Sequence, residues 1–171
     1  IGMAEMPNRH MSVLADIDIK TKGEGFDSLS GGKASLGTGT ARDVYKKEDV
    51  EALIGVFNET ILDITENVNK SDLVCVYLRK DPYETHGYWK NGLHLQYPNL
   101  FIDKKKMEVF LIPRVRDKVK RLGLFAEFNM KEVVDDAACR NPWLMYKSRK
   151  SPNMKPYIAH SVYIPSNNQM N

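Results

Sequence analysis

Val13-Leu14-Ala15-Asp16-Ile17-Asp18-Ile19 decides the fold, because small or branched apolar residues recur there at every second position. In a strand, residues two apart share a face, so Val13, Ala15, Ile17 and Ile19 pack inward while Asp16 and Asp18 project together from the other side. Two carboxylates on one face repel each other, and a cation or an Arg/Lys must offset them. Divalent Mg or Mn, which favour oxygen ligands, would do so. A solvent-facing edge of an amphipathic strand carries the same letters, and the pair alone leaves both readings open.

Outward from this strand, residues 22–40 are rich in Gly, Ser and Lys and lack apolar periodicity, which predicts a loop. Val50, Leu53, Ile54, Phe57, Ile61 and Leu62 recur at three-and-four spacing and predict an amphipathic helix over 48–65. Residues 72–80 read as a buried strand. A turn-like stretch then leads into Leu93-His94-Leu95-Gln96-Tyr97, a strand closed by Pro98. Asp103 can cap a second helix with Met107, Phe110, Leu111, Val115, Val119 and Leu122 on one face, and Pro113 would kink or break it. Short strands are expected at 133–135, 143–146 and 157–164. Helices mixed with strands predict a single α/β or α+β domain around one sheet, with no internal repeat.

The composition suits that picture. The 171 residues are 42% hydrophobic and 27% charged, with a net charge of +3 that permits a polyanionic partner without requiring one. No apolar run approaches the ~20 residues of a membrane span. Cys75 and Cys139 belong to no CxxC pair, so a zinc site or disulfide framework is not expected and a reducing, intracellular compartment is. The chain opens on Ile1 rather than Met, which suggests a piece of something longer.

Three further features carry chemistry. His94 shares a strand face with Gly92 and Gln96, where it could meet a phosphate, and Gly92 would let a ligand approach the backbone. A lone His is more often an ordinary hydrogen-bonded residue. Val133-Val134-Asp135-Asp136 runs from apolar residues into acids, as many strand ends do. Tyr146-Lys147-Ser148-Arg149-Lys150 gathers three cations and a hydroxyl at a strand end, suited to a triphosphate or simply to water. A basic run, Lys104 to Lys106 and then Arg114, Arg116, Lys118, Lys120 and Arg121, could track template phosphates or be a solvated helix face.

In their order, apolar-apolar-Asp-x-Asp, Gly-x-His before Pro, then apolar-Asp before Trp-Leu-Met-Tyr-x-Ser-x-Lys, these features resemble the archaeo-eukaryotic primase superfamily. The segment from Lys90 to Pro98 is especially similar to the primase part of primase-helicases of nucleocytoplasmic large DNA viruses. Many of those viral proteins carry Gly where this chain has Lys147, whereas the eukaryotic primase-polymerase carries Lys. The resemblance covers about Val13 to Ile164.

It implies a single α+β primase catalytic domain over residues 1–171, in which a sheet-and-helix module joins an RNA-recognition-like module with the active site between them. The implied activity is nucleotidyl transfer from nucleoside triphosphates, making primers on single-stranded DNA. Asp16, Asp18 and Asp135 would hold two Mg or Mn ions, with Asp136 the alternative to Asp135. His94 would contact the incoming nucleotide's phosphates, Ser148 and Lys150 would help, and Lys147, Arg149 and Arg140 would assist. A fused or associated helicase is implied, and a location at sites of DNA replication, in a cytoplasmic viral factory or the nucleus.

Such chemistry needs these groups. Two metals held by three carboxylates lower the pKa of a 3′-hydroxyl, bridge the α-phosphate and neutralise the departing pyrophosphate. No protein nucleophile is required. A metal-dependent nuclease is one rival, since Asp18-Ile19-Lys20 fits half of a nuclease motif, but it leaves His94 and the Tyr146–Lys150 segment without a role. A catalytically inactive nucleic-acid-binding module is another, and the presence of all three acids argues against it. A P-loop is excluded, because Gly31-Gly32-Lys33 is followed by Ala34.

Overall fold

A computed structural model describes residues 4–22, 44–85, 88–144, 146–149, 151–152 and 154–165. Beyond Lys22 the expected loop of residues 22–40 lies outside them, as do Met145 and Lys150. The alternating stretch is the middle of β2 (His10–Lys22), which lies inside an antiparallel sheet between β5 (Tyr88–Asp103) and β6 (Val134–Asp135). Beyond β5 follow β3 (Cys75–Arg79) and the edge strand β8 (Ile158–Tyr163), and a short β4 (Tyr83–Thr85) folds back onto β5. A separate two-stranded pair joins β1 (Ala4–Glu5) to β7 (Trp143–Leu144). The architecture is α+β, with all strand pairings among the described residues antiparallel.

The inward face of β2 is buried as its pattern requires: Ala15 and Ile17 are completely inaccessible, and they share one core with Leu93, Leu95 and Tyr97 of β5. α1 (Lys47–Ile64) adds Leu53, Ile54, Phe57 and Ile61 to that core, while Leu62 falls on its exposed side. The Lys46 N–H donates to the Asp49 carboxylate at 2.8 Å, satisfying a backbone group at the helix start.

Two elements differ from expectation for identifiable reasons. β5 does not stop at Pro98. Its register against β2 jumps from Val13↔Tyr97 to Ser12↔Phe101, so Pro98, Asn99 and Leu100 bulge out of the β2 ladder. A proline that cannot donate to that ladder is tolerated in such a bulge, and the strand resumes to Asp103.

The second helix begins as foreseen: Asp103 accepts from the N–H groups of Lys105 and Lys106 and opens α2 (Lys104–Lys106). It then widens into a π turn over Met107–Leu111 before α3 (Ile112–Arg121). The Ile112 N–H reaches back to the Met107 carbonyl, and the looser turn accommodates Pro113 without breaking the rod. The extra residue shifts the helical phase, so Leu111 and Ile112 both face the core while Phe110 is 52% exposed.

Farther along, Val133 ends α4 (Met130–Val133) instead of opening a strand, and β6 is only two residues long. Both cysteines are free and buried. Burial pushes the Cys75 thiol up to about 12 and the Cys139 thiol up to about 11. No helix among the described residues is long and apolar enough to cross a membrane.

Candidate active site

Strand register brings the site together. β5 places His94 opposite Asp16 and Gly92 opposite Asp18, and β6 places Asp135 opposite Asp16 from the other side. Residues directly opposite on neighbouring strands share a face, so Asp135, Asp16 and His94 form one row across three strands, with Asp18 and Gly92 in the next row. Both rows lie on the face away from the core formed by Ala15, Ile17 and Leu95.

Each acid has a partner. The Asp16 Oδ1 lies 3.4 Å from His94 Nε2. The Asp18 Oδ2 accepts from Lys90 at 2.6 Å, while its Oδ1 is buried with no hydrogen-bond partner. Burial raises the Asp18 carboxyl above its ordinary value against the pull of Lys90. Burial also lowers Lys90, but the Asp18 carboxylate outweighs it and the ammonium ends up raised. Asp135 Oδ1 accepts from the Ala137 N–H at 2.8 Å and so caps the 3-10 turn Asp136–Cys139.

Among the described residues no three His, Cys, Asp or Glu side chains converge as a ready metal cage. The donor chemistry nevertheless suits a hard divalent ion, because it is built of carboxylates and leaves one buried oxygen unsatisfied.

Asp136 lies in a different network. Arg140 donates to it at 2.7 Å, and Arg116 stands 3.7 Å away. The Arg140 hydrogen bond holds the Asp136 carboxyl below its usual range. Arg140 also pairs with Glu108 of the π turn.

Arg116 donates further to the Val134 carbonyl at 2.8 Å and to the Lys131 carbonyl at 3.3 Å, tying β6 down on its outer edge. Among the cations expected along a template, Lys118 pairs with Asp63 at 2.7 Å, whereas Arg114 and Lys120 are exposed. Arg116→Ala is expected to cost about 1.5–3 kcal/mol of stability, the usual range for hydrogen bonds made by a charged group. Arg116→Lys should recover less than half of that, since one ammonium cannot serve the positions of a guanidinium fork. Urea unfolding of both variants reads the difference.

His94 lies mid-strand and is 4% exposed, not at an open strand end. Its ring is stacked on Tyr157 with centroids 3.5 Å apart, and Trp143 of β7 lies against it at 4.0 Å. Gly92 makes room for Tyr157: a Cβ there would come within 2.8 Å of the Tyr157 hydroxyl. In the basic segment, Ser148 is buried, Lys147 and Arg149 are exposed, and the Lys147 N–H donates to the Tyr157 carbonyl at 3.1 Å.

Three side chains here had no role assigned from the sequence: Lys90, Trp143 and Tyr157. Lys90 was within reach, since it lies two and four residues before Gly92 and His94 on a strand. Tyr157 had no local signal, because it arrives from the chain between β7 and β8.

Comparison with known proteins identifies the family of the chain. Residues 1–163 match the family described as the C962R protein N-terminal AEP domain, AEP denoting archaeo-eukaryotic primase. The chain is 32% identical over 171 residues to "Putative helicase 121R" of Invertebrate iridescent virus 3, covering 95% of this chain and 17% of that protein. It is 27% identical over 184 residues to "Putative helicase 184R" of Invertebrate iridescent virus 6, covering 95% and 18%. "Putative helicase L207/L206" of Acanthamoeba polyphaga mimivirus is 21% identical over 131 residues, covering 74% and 14%. The chain thus spans less than a fifth of the length of these relatives.

Proposed function

The chain belongs to the C962R-type N-terminal domains of the archaeo-eukaryotic primase superfamily, and from that premise we propose that it is a primase-polymerase catalytic domain extending or initiating strands on single-stranded DNA. A family whose members are generally nucleotidyltransferases supports the reaction class. The observation that carries the reading is the row Asp135–Asp16–His94, with Asp18 beside it, assembled from three strands that are distant in sequence. Three carboxylates on one sheet face, away from the core, serve no packing purpose, and their mutual repulsion calls for cations.

Asp16, Asp18 and Asp135 would hold divalent Mg or Mn. When bound, such ions activate a 3′-hydroxyl and neutralise the phosphates it attacks. The chain's own residues do the positioning. His94 presents an imidazole beside Asp16, where it would meet the β- and γ-phosphates with help from Ser148, Lys147 and Arg149. Lys150 would join them. Fixed donors of this kind hold the triphosphate in line for displacement and lower the barrier through orientation. The antiparallel sheet serves as the RNA-recognition-like part of the core. Exposed Arg114 and Lys120 offer cations for template phosphates. Relatives named as helicases support a helicase in the same polypeptide.

Incubation with primed and unprimed single-stranded DNA, nucleotides and Mg or Mn tests the reading. Primers should lengthen or arise anew, and DNA without nucleotides should survive. Metal-dependent loss of DNA that ignores nucleotides and disappears in Asp18→Ala would establish a nuclease instead.

A further inference from the structure

His94 is covered by its own chain. The Tyr157 ring lies nearly parallel to the His94 ring, at 18° and 3.5 Å between centroids. Its hydroxyl fills the space over Gly92, 2.8 Å from where a Cβ would stand, in the row that also holds Asp18. The ring also lies near the Lys80 ammonium, whose Nζ is 5.5 Å from its centroid and 4.3 Å from that of Tyr83. Lys80 is 8% exposed and His94 4%. Two groups suited to anionic oxygens thus meet on a single tyrosine, beside the carboxylates Asp16 and Asp18. His94 Nδ1 is buried and without a hydrogen-bond partner. A buried nitrogen left unsatisfied is costly, so an arriving partner has something to gain there.

The tether is light. Tyr157 precedes β8 and is held at its backbone by the Lys147 N–H, at a residue with φ of 62°, a conformation that non-glycine residues adopt at a cost. Ring stacking and the weak cation–π contact hold the side chain, and neither is strong enough to exclude a polyphosphate that brings several charges.

We propose that Tyr157 stands where the nucleotide's phosphates go, and that its displacement exposes His94 together with Lys80, a further phosphate contact. The inference rests on the reading of His94 as a phosphate-binding residue and adds both the second cation and the exchange. Lys80 reaches the site from just past the end of β3, two positions beyond Leu78, which pairs with His94 across the sheet. The phosphates would therefore be gripped from the strand next to β5 as well as from the chain segment around Ser148.

Two measurements on the full chain test this. The first is carbethoxylation of histidines by diethyl pyrocarbonate without nucleotide, read by peptide mass mapping against exposed His10 and His160. His94 should react at least tenfold more slowly than those two in the native protein and in Tyr157→Phe, and at a comparable rate in Tyr157→Ala. Gly92→Ala, which pushes the hydroxyl off its seat, should also raise His94 reactivity and serves where Tyr157→Ala folds poorly. Equal reactivity of His94 in native protein and Tyr157→Ala overturns the cover.

The second is titration with a non-hydrolysable nucleoside triphosphate and Mg, without DNA. Tyr157→Ala should bind severalfold more tightly. Lys80→Met should bind about ten- to a hundredfold more weakly, as loss of a charge-assisted hydrogen bond dictates. His94→Asn separates the two ideas. If it leaves affinity unchanged, the assignment of His94 to phosphate fails whatever the modification data show. If it weakens binding while Tyr157→Ala gains nothing, the displacement alone is wrong. Unchanged affinity in Lys80→Met removes Lys80 from the site.

Discussion

Asp16→Ala is expected to reduce nucleotide incorporation by about a thousandfold or more, because loss of a metal ligand removes several kcal/mol of charge stabilisation from the transition state. The fold should survive. Asp16 faces away from the core, and its nearest partner is His94 at 3.4 Å. Removing one of several crowded carboxylates relieves repulsion, so the metal-free thermal midpoint should hold or rise. Asp18→Ala should abolish activity equally but lower the midpoint, since it strands the half-buried Lys90 ammonium that now sits 2.6 Å from the carboxylate. Primer extension with thermal melts on the two variants checks both halves. Near-normal synthesis by Asp16→Ala would remove it from the metal site.

The largest effect on stability is expected at Phe57. It is fully buried on α1, with its ring centroid 6.3 Å from that of Tyr97 on β5, so it links the helix to the sheet. Phe57→Ala should cost about 3–5 kcal/mol, from lost transfer free energy and the cavity left behind. That is a large part of the roughly 5–15 kcal/mol that holds a domain together. Phe110→Ala supplies the contrast. The phase shift at the π turn leaves Phe110 half exposed, so its truncation should change stability by less than about 0.5 kcal/mol. Urea unfolding of the pair also checks the helical phase: a large loss at Phe110 would mean that the turn is wound as an ordinary α-helix.

Much of this was legible in the sequence because it is local and periodic. Alternation around Asp16 gave the strand and its two faces, and three-and-four spacing gave α1. The Asp103 cap was visible from residue type and position. Where the sequence was silent, partners distant along the chain decide. Nothing near Pro98 announces that β2 steps past three residues there, and nothing near Met107 announces a π turn. The candidate site divides in the same way. Asp16 and Asp18 stood out by type and spacing, Asp135 and His94 only through the order of motifs that resembles the family, and pairing register then set them side by side. That Arg116 would grasp β6, or that Tyr157 would lie across His94, depends on tertiary packing that no local pattern encodes.

The two-residue β6 carries a consequence for the order in which the molecule forms. Asp135 reaches Asp16 through that minimal strand, from farther along the chain than the loop between β2 and β5 that contains α1 and β3. Closing such long loops is entropically costly and slow compared with winding a helix. α1 can therefore form early on the emerging chain, whereas the acidic row is completed only when nearly the whole domain has been synthesised and has collapsed. A nascent or partly unfolded chain would then display Asp16 and Asp18 without their third neighbour. Chemistry on nucleotides would begin only once folding was finished.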